Sequence, residues 1–504
     1  MPIDSTHPDY DAHINQWQRC RDCVDGSDAI KARGEVYLPR LSDQSNEEYG
    51  AYRMRAYWFG AAARTVQGLA GTVMRKEPIT EAPTVLDDVL ADATQTGISF
   101  EAFCKTALEE VLKTGRYGVL VDMPGAQTVD QRPYWVGYEA EQIVNWQTEM
   151  IGGIPTLIMV VLCEAVVEED PDDPYKLNQL EQYRELYLEP STEVSPARYH
   201  QQIWRKQKNV ERGKEEWAVY GNEIMPVFRD TPLTYIPFCF MNPTTITPAI
   251  AKPPILDLAD TNISHYRSSA DLEHGRHFCG LPTPWVAGFP VETKLKIGSS
   301  VAWVASDYNA KVGMLEFTGQ GLGALERAID SKSKDMAILG ARLLEGQKAT
   351  VEAANTLITR LSGEQSIMQS VANTLSVGFS KLLEWSALWL GVGETEAKKA
   401  TAKLNTELID TKISFTDLTE LVKNWQAGAM SYETMYYNME RGGMTRPGIE
   451  FDEEQAQIEI EKPAVIPQNI DPLTGLPDPT MNPDGTPMDG MPAKKPNPFG
   501  NAGA

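Results

Sequence analysis

The sequence lacks the features that mark a membrane-spanning, secreted or disulfide-stabilised protein. No window approaches the roughly 18 consecutive apolar residues that a transmembrane helix needs. The start at Met1 has no basic segment followed by an apolar run, so no signal peptide is expected. Six cysteines in 504 residues are too few for a disulfide framework. We therefore expect reduced thiols, synthesis in a cytoplasm and no membrane partner.

Positive charge is also scarce. The chain has 46 Lys and Arg against 70 Asp and Glu, which gives a net charge of −24. Tight binding to duplex DNA needs clustered basic side chains that displace counterions from the phosphates. An acidic surface instead favours solubility and resists non-specific adhesion to nucleic acid. This balance argues against a protein that grips DNA, and it allows one past which DNA slides.

Motifs that carry catalysis or hold a cofactor are missing as well. There is no GxxxxGK[ST] phosphate loop, no HExxH and no GxSxG. Cys20 and Cys23 form one CxxC, but a structural zinc site needs a second ligand pair. The acidic run 168–173 lacks the glycine and the final glutamate of a calcium loop. We expect no metal, no cofactor and no enzymatic activity.

Hydrophobic residues make up 42% of the chain, enough for several folded segments. Apolar residues at helical spacing predict helices over 10–23, 47–74 and 100–114, followed by a buried strand at 117–124. Strand-like runs then occur at 135–138, 157–165, 183–188, 198–204, 216–220 and 235–240, with an acidic turn at 168–174. These patterns predict an α+β fold, predominantly helical, with a β-rich portion between residues 126 and 254.

Two long helices, 255–278 and 322–345, are predicted in the second half of the chain. Each carries apolar residues at alternating spacings of three and four, a narrow seam suited to packing against a neighbouring helix. Strands are predicted between them at 301–304 and 313–317, with breaks in the chain at Pro282, Pro284, Gly288 and Pro290. The seam residues are Leu256, Ile263, Tyr266, Leu325, Ile329, Met336, Leu339 and Leu343, with Lys332 as the single polar member.

The remaining third of the chain is predicted to be helical and then disordered. A helix is expected over 351–389, kinked at Gly363, with Trp385 and Trp389 in its buried end. Two shorter helices follow over 414–441, the second beginning at Ser431 and ending at Gly442. Ten prolines among residues 462–504 predict a disordered tail.

Several segments, in this order along the chain, resemble portal proteins of tailed bacteriophages. They are YWFGAAARTVQGL at 57–69 with VMRKEP at 73–78, LKTGRYGVLVDMP at 112–124, IVNW at 143–146, and MAILGARLL at 336–344. The likeness spans about residues 45–460.

The resemblance implies the portal architecture of wing, stem, clip and crown. The wing would comprise residues 1–254, helical over 1–125 and β-rich over 126–254. The stem would be 255–278 and 322–345, the clip 279–321, the tunnel loop and returning helix 346–413, the crown 414–461 and the tail 462–504.

The resemblance also implies a non-enzymatic function at one vertex of a virion. Portal subunits form rings of about twelve, whose channel admits and releases viral DNA. Expected partners are other copies of the chain, the large terminase subunit, the major capsid protein or scaffold, and tail adaptors. Basic residues in an otherwise acidic channel could contact DNA, and the candidates are Lys348, Arg342 and Lys332. The alternative is a phage-encoded nucleic-acid-processing enzyme with a dispersed site.

Overall fold

The structure is a computed structural model in which the chain forms two units, Met1–Leu408 and Ile409–Ala504. The first unit mixes helices with antiparallel strands, which confirms the α+β class. The residues described are 2–124, 130–170, 172–191, 196–208, 215–228, 231–280, 283–289, 303–304, 307–315, 321–342, 367–408, 415–441 and 451–461.

Capping side chains set the ends of the N-terminal helices. The Ser45 hydroxyl accepts from the Glu48 N–H, and the Glu48 carboxylate accepts from the Ser45 N–H, which is a capping box. Gly115 ends the helix before it in the left-handed conformation, at φ 71°. The helices are α1 (Pro8–Asp25), α2 (Ser27–Ala32), α3 (Asn46–Arg55), α4 (Ala61–Val73), α5 (Asp87–Ala91) and α6 (Phe100–Thr114).

The single helix predicted over 47–74 is wrong, because the chain turns between α3 and α4. The turn is held by a side chain from a distant helix. Asn262 donates from Nδ2 to the Phe59 carbonyl at 2.8 Å and accepts from the Ala62 N–H at 3.2 Å. The apolar spacing continues through the turn, so local periodicity gives no sign of the break.

The strands form antiparallel sheets. One has three strands in the order β11-β2-β3, and another has five in the order β4-β5-β6-β7-β8. Short pairs join β1 to β14 and β9 to β10. The strands are β1 (Ile79–Glu81), β2 (Tyr117–Asp122), β3 (Tyr134–Glu139), β4 (Ile143–Ile151), β5 (Ile154–Asp170), β6 (Asp173–Glu189), β7 (Arg198–Lys208), β8 (Glu215–Ile224), β9 (Val227–Phe228), β10 (Thr231–Pro232) and β11 (Phe238–Met241).

The acidic turn predicted over 168–174 is shorter than expected, because β5 and β6 run almost to its centre. Polar pairs extend the strands at this end. Asp170 accepts from Lys176 at 2.8 Å and from Asn178 at 3.0 Å, and Arg205 pairs with Glu168 at 2.5 Å. Polar and charged cross-strand pairs therefore extend the β5–β6 pairing into residues whose composition predicted a loop.

The second half of the first unit begins with α7 (Leu256–Gly280) and α8 (Leu322–Arg342), close to the predicted helices. The strand paired with β13 (Lys311–Leu315) is β12 (Thr283–Ala287), not 301–304. Trp303 and Val304 lie outside any strand, and residues 301, 302, 316 and 317 lie outside the described residues. Pro284 was expected to break the chain, but an edge strand tolerates proline.

The unit closes with α9 (Ile367–Trp389), α10 (Glu394–Ala397) and β14 (Thr401–Lys403). Trp135 of β3 joins α9 to the three-stranded sheet. Its ring stacks on Phe379 with centroids 6.4 Å apart, and its Nε1 donates to Ser386 Oγ at 2.9 Å. Trp385 is buried as predicted. Residues 343–366, which include the expected tunnel loop and the kink at Gly363, lie outside the described residues.

The second unit contains three described helices, α11 (Phe415–Gln426), α12 (Tyr432–Arg441) and α13 (Phe451–Glu461). Ser431 caps α12 as predicted, because its Oγ accepts from the Thr434 N–H at 3.1 Å. Tyr432 contacts both Trp425 and Phe451 through its ring. Gly442 and the proline-rich residues 462–504 lie outside the described residues. Among the described helices of either unit, none is long and apolar enough to cross a membrane.

Candidate assembly site

The helices α7 and α8 pack against each other and are joined through the β12–β13 strand pair. Lys332 of α8 lies between them, and its Nζ donates to the Ser264 carbonyl at 3.0 Å and to Ser268 Oγ at 2.7 Å. Burial lowers the pKa of Lys332. Farther along, Arg276 of α7 pairs with Glu326 of α8 at 2.9 Å. The two helices are therefore linked by the hydrogen bonds of Lys332 and by an ion pair.

Glycine allows the two helices to approach closely. A Cβ on Gly275 of α7 would lie 2.6 Å from Leu322 Cδ2 of α8, closer than real side chains come. Gly340, near the end of α8, lies against Thr65 of α4, with 3.2 Å between the position of an added Cβ and the Thr65 side chain. Both ends of α8 therefore pack at backbone distance on their neighbours.

The helix α7 is also tied to the N-terminal helices by hydrogen bonds. Asp271 accepts from the Tyr52 hydroxyl at 2.6 Å, and Arg267 donates from Nε to the Tyr37 carbonyl at 2.7 Å. The Tyr266 ring meets Trp58 edge to face, with centroids 5.8 Å apart. These contacts fix the helix pair rigidly on the body of the first unit.

The apolar seam faces inward, within a single chain. Leu256, Ile263, Tyr266 and Met336 are buried in the core, and Leu339 packs against it. Leu325 and Ile329 are half-buried on α8, and Leu343 lies outside the described residues. The predicted packing against a neighbouring helix is thus met by helices of the same chain. Contacts of this seam around a ring stay a prediction.

The outward surface of α8 is charged, with one large apolar exception. Ile338 has 49% of its surface exposed. The exposed charged residues of the helix alternate in sign and are Glu326, Arg327, Asp330, Lys334 and Asp335. An exposed surface that carries charges of both signs can pair with a surface of complementary charge on another molecule.

The β12–β13 strand pair presents apolar side chains to solvent. Trp285, Val312 and Met314 are each exposed by 44% or more. Gly313 makes room for the Trp285 indole, because a Cβ there would lie 2.7 Å from Trp285 Nε1. A two-stranded ribbon is marginally stable by itself, so an exposed apolar surface on it is typical of a contact region.

The three candidates for DNA contact have different positions in the structure. Lys332 is occupied between α7 and α8, so a DNA contact by this residue stays a prediction and would require it to leave two hydrogen bonds. Arg342 is the last residue of α8. Lys348 lies outside the described residues.

The structure brings together one polar cluster that the sequence analysis missed. On one face of the five-stranded sheet, Arg184 contacts Glu164 at 2.8 Å, Asp122 at 3.4 Å and Gln201 at 3.1 Å. Burial raises the pKa of Asp122, and the Arg184 charge opposes this shift. The sequence holds one sign of this cluster. Arg184 occupies an inward-facing position of a strand in which other inward residues, such as Leu186, are apolar.

The CxxC pair lies in the interior of the first unit. Cys20 and Cys23 are both fully buried, and burial raises the pKa of Cys20 to about 12, so its thiol is protonated and unreactive. Across the part of the chain that the structure describes, no three His, Cys, Asp or Glu side chains lie close enough together to hold a metal ion.

A family model matches the part of the chain that contains the helix pair. Residues 254–390, from the start of α7 to the end of α9, match a family described as a domain of unknown function (DUF4055). No curated protein matches the chain.

Among solved structures, the chain is similar to one from the neck of a native gene transfer agent particle. The identity is 10%, the TM-score 0.36, and the coverage 81% of this chain and 98% of that one. Chains from an empty-particle neck and from a native virion each match at 13% identity, covering 84% of this chain and 99% of theirs, with TM-scores of 0.36 and 0.35. Because the TM-scores lie below 0.5, the function proposed below rests on the residues of this chain.

Proposed function

We propose that this chain is the portal subunit of a tailed-phage-like particle. It forms a ring of about twelve copies at one vertex of the capsid, assembled in the host cytoplasm. DNA enters and leaves through the channel of the ring, and the chain itself carries out no chemistry. The large terminase subunit, the major capsid protein or scaffold, and tail adaptors bind to the ring.

One observation carries the proposal: two helices of more than twenty residues pack as a pair and hold a strand ribbon between them. At about 1.5 Å per residue, the 21 residues of α8 extend about 30 Å. A rigid rod of this length, anchored at one end on a folded body, suits the stem of a channel. The β12–β13 ribbon would then be the clip, the body before α7 the wing, and α11 to α13 the crown.

The contacts between neighbouring copies are assigned to the outward surface of α8. The apolar seam is already buried inside one chain, so it offers little to a second copy without unpacking. The alternating charges and Ile338 remain accessible. A closed ring uses two different surfaces of each subunit, so the charges of α8 would meet opposite charges on a different face of the next copy.

The channel is proposed to be mainly acidic, as the net charge of −24 suggests. Like-charge repulsion would keep DNA phosphates from adhering to the wall, so that the duplex slides. Lys348 and Arg342 are the candidates for transient contacts. Lys348→Ala is expected to alter DNA packaging or retention in assembled particles, and unchanged packaging and retention would remove the role of Lys348.

The first test is negative-stain electron microscopy combined with mass measurement on the purified full-length chain. Rings near twelve copies with a central hole are expected. If the chain is monomeric alone, the same measurement is repeated on particles assembled with shell and scaffold proteins. Absence of a ring in both preparations would contradict the proposal.

A variant pair tests the surface assigned to the ring. Ile338→Asp places a charge in the proposed contact and is expected to reduce ring formation strongly while the monomer stays folded. Met54→Asp changes an apolar residue of α3 that is more exposed, at 77% against 49% for Ile338, and serves as the control. Equal loss of rings in both variants would show that α8 is not the contact.

The alternative function is a nucleic-acid-processing enzyme with a dispersed site. Such an enzyme would hydrolyse nucleotide or cut DNA as a small oligomer. Turnover of either substrate by the purified chain, retained after removal of contaminating nucleases, would favour it over the portal.

A further inference from the structure

A cavity of about 500 Å³ opens between α1, α7 and the short turn Gly34–Val36 that follows α2. Three arginines from three different elements line it: Arg19 of α1, Arg33 after α2, and Arg267 of α7. Tyr37 and Asp260 complete the charged and aromatic part of the wall. The site plays no part in the proposed channel and depends on none of its features.

Each guanidinium has a partner at its Nε atom: Arg33 and Arg267 donate a hydrogen bond there, and Arg19 forms an ion pair. Arg19 Nε lies 2.9 Å from Asp260 Oδ1, and Arg267 Nε donates to the Tyr37 carbonyl at 2.7 Å. Arg33 Nε donates to Asp22 Oδ2 at 2.7 Å, with a longer contact of 3.4 Å from Nη2. Tyr37 fixes the same Asp22 carboxylate with a 2.6 Å hydrogen bond from its hydroxyl.

This arrangement leaves several N–H donors of the three arginines without a hydrogen-bond partner among the described residues. Among the described residues, the Nη atoms of Arg19 and Arg267 and the Nη1 atom of Arg33 have no hydrogen-bond partner. An arginine held by Nε keeps its planar fork oriented, so little further order is lost when the fork binds a ligand.

The local charge is opposite to that of the whole chain. Three guanidinium groups are balanced here by the carboxylates of Asp260 and Asp22, which leaves one positive charge in a protein of net charge −24. A positive concave site on an acidic protein concentrates small anions, which its surroundings repel.

We propose that this cavity binds a phosphate group. The planar forks of arginine match the oxygens of phosphate with paired, charge-assisted hydrogen bonds. The cavity admits a group of that size, and three separate elements supply its donors. The phosphate could belong to a small molecule or to a phosphodiester of a nucleic acid backbone, because both present the same oxygens.

Isothermal titration of the full-length chain with inorganic phosphate tests the site, with sodium chloride at equal ionic strength as the reference. Saturable binding of phosphate beyond that of chloride is expected. Arg267→Gln and Arg19→Gln should each weaken it by about tenfold or more, since each removes charge-assisted hydrogen bonds. Arg33→Gln is a third variant, for use if either of the others fails to fold by circular dichroism.

The matched control is Arg276→Gln, on the same helix but outside the cavity, where Arg276 pairs with Glu273 and Glu326. It should bind phosphate as the unmodified chain does. A phosphate response no larger than that of chloride, or equal weakening by the control, would overturn the site. Competition by a short DNA duplex would assign the phosphate to a nucleic acid backbone, and its absence to a small molecule.

Discussion

The α7–α8 helix pair and the five-stranded sheet β4–β8 are held together in different ways. The helix pair is anchored by apolar residues such as Tyr266 and Met336, with Lys332 as the polar link between the two helices beside this core. The sheet also buries apolar residues. In addition, Arg184 of β6 and its carboxylate partners Asp122 and Glu164 join β2, β5 and β6 through charged contacts. We therefore expect the helix pair to tolerate the loss of Lys332 and the sheet to depend on Arg184.

The difference shows when a buried charged side chain becomes necessary for the stability of the fold. Removing one partner of a buried ion pair leaves the other charged and unsatisfied, which costs more than the pair contributed. Lys332 bonds only to a hydroxyl and a carbonyl, and neither of these carries a net charge. Replacing the charged side chain by methionine should therefore reduce the free energy of unfolding much more in the sheet than in the helix pair.

Arg184→Met is expected to give the largest effect, a loss of about 3–5 kcal/mol in the free energy of unfolding. The substitution keeps an unbranched apolar stem but leaves Asp122 and Glu164 without their cation. Urea unfolding followed by circular dichroism measures the loss. A change below about 1 kcal/mol would show that the cluster is not a structural centre of the sheet.

The pH dependence of that variant sharpens the test. Burial already raises the pKa of Asp122 above that of the unfolded chain, and loss of Arg184 raises it further. The folded state then binds a proton more tightly than the unfolded state, so stability falls as the pH rises. The Arg184→Met loss should be smaller at pH 5 than at pH 7, and Asp122→Asn should restore part of it at pH 7.

Tyr266→Ala should reduce the free energy of unfolding by about 3–4 kcal/mol, because it leaves a cavity beside Trp58. Tyr266→Phe is the matched control. Among the described residues the Tyr266 hydroxyl is buried without a hydrogen-bond partner, so its removal should cost little. Equal losses in both variants would mean that the hydroxyl, rather than the ring, stabilises the helix pair.

Lys332→Met should change the free energy of unfolding by less than about 1 kcal/mol. Burial lowers the pKa of Lys332, so the folded state already disfavours its charge, and methionine removes that penalty. The same urea titration measures it beside Arg184→Met. A loss as large as that of Arg184→Met would erase the contrast between the two regions.

Tyr175→Ala should have the smallest effect, within about 0.5 kcal/mol, because surface substitutions rarely exceed this. Tyr175 lies at the far end of the β5–β6 hairpin and is 96% exposed. Thermal unfolding of the purified chain is the measurement. A larger loss that grows with protein concentration would instead indicate that another copy covers this end of the sheet.

The helices that were predicted best are those whose signals are local. The prediction of α6 over 100–114 matches its observed bounds, because Ser99 caps its start and Gly115 ends it. The turn between α3 and α4 was not predicted from the sequence, because it depends on Asn262, some two hundred residues away. The strand β12, which pairs with β13, was not predicted either, because Pro284 was interpreted as a break although it lies on an edge strand.

The candidate site was only partly accessible from the sequence. The seam spacing correctly indicated that α7 and α8 pack against helices, but spacing does not say whether the partner belongs to the same chain. The arginine cavity could not be predicted, since Arg19, Arg33 and Arg267 have no common motif. Only their separate contacts with Asp260, Asp22 and Tyr37 orient them toward one cavity.

By itself the sequence determined the fold class, the positions of most helices, the two long helices flanking a strand segment and the acidic balance of the chain. These follow from side-chain periodicity, capping and composition, which act over a few residues. The tertiary structure alone decided that the seam is buried in one chain, that Arg184 joins three strands, and that three distant arginines share a cavity. Such features arise from contacts between residues far apart in the chain, where the physical requirement is complementary shape and charge and no local pattern records it.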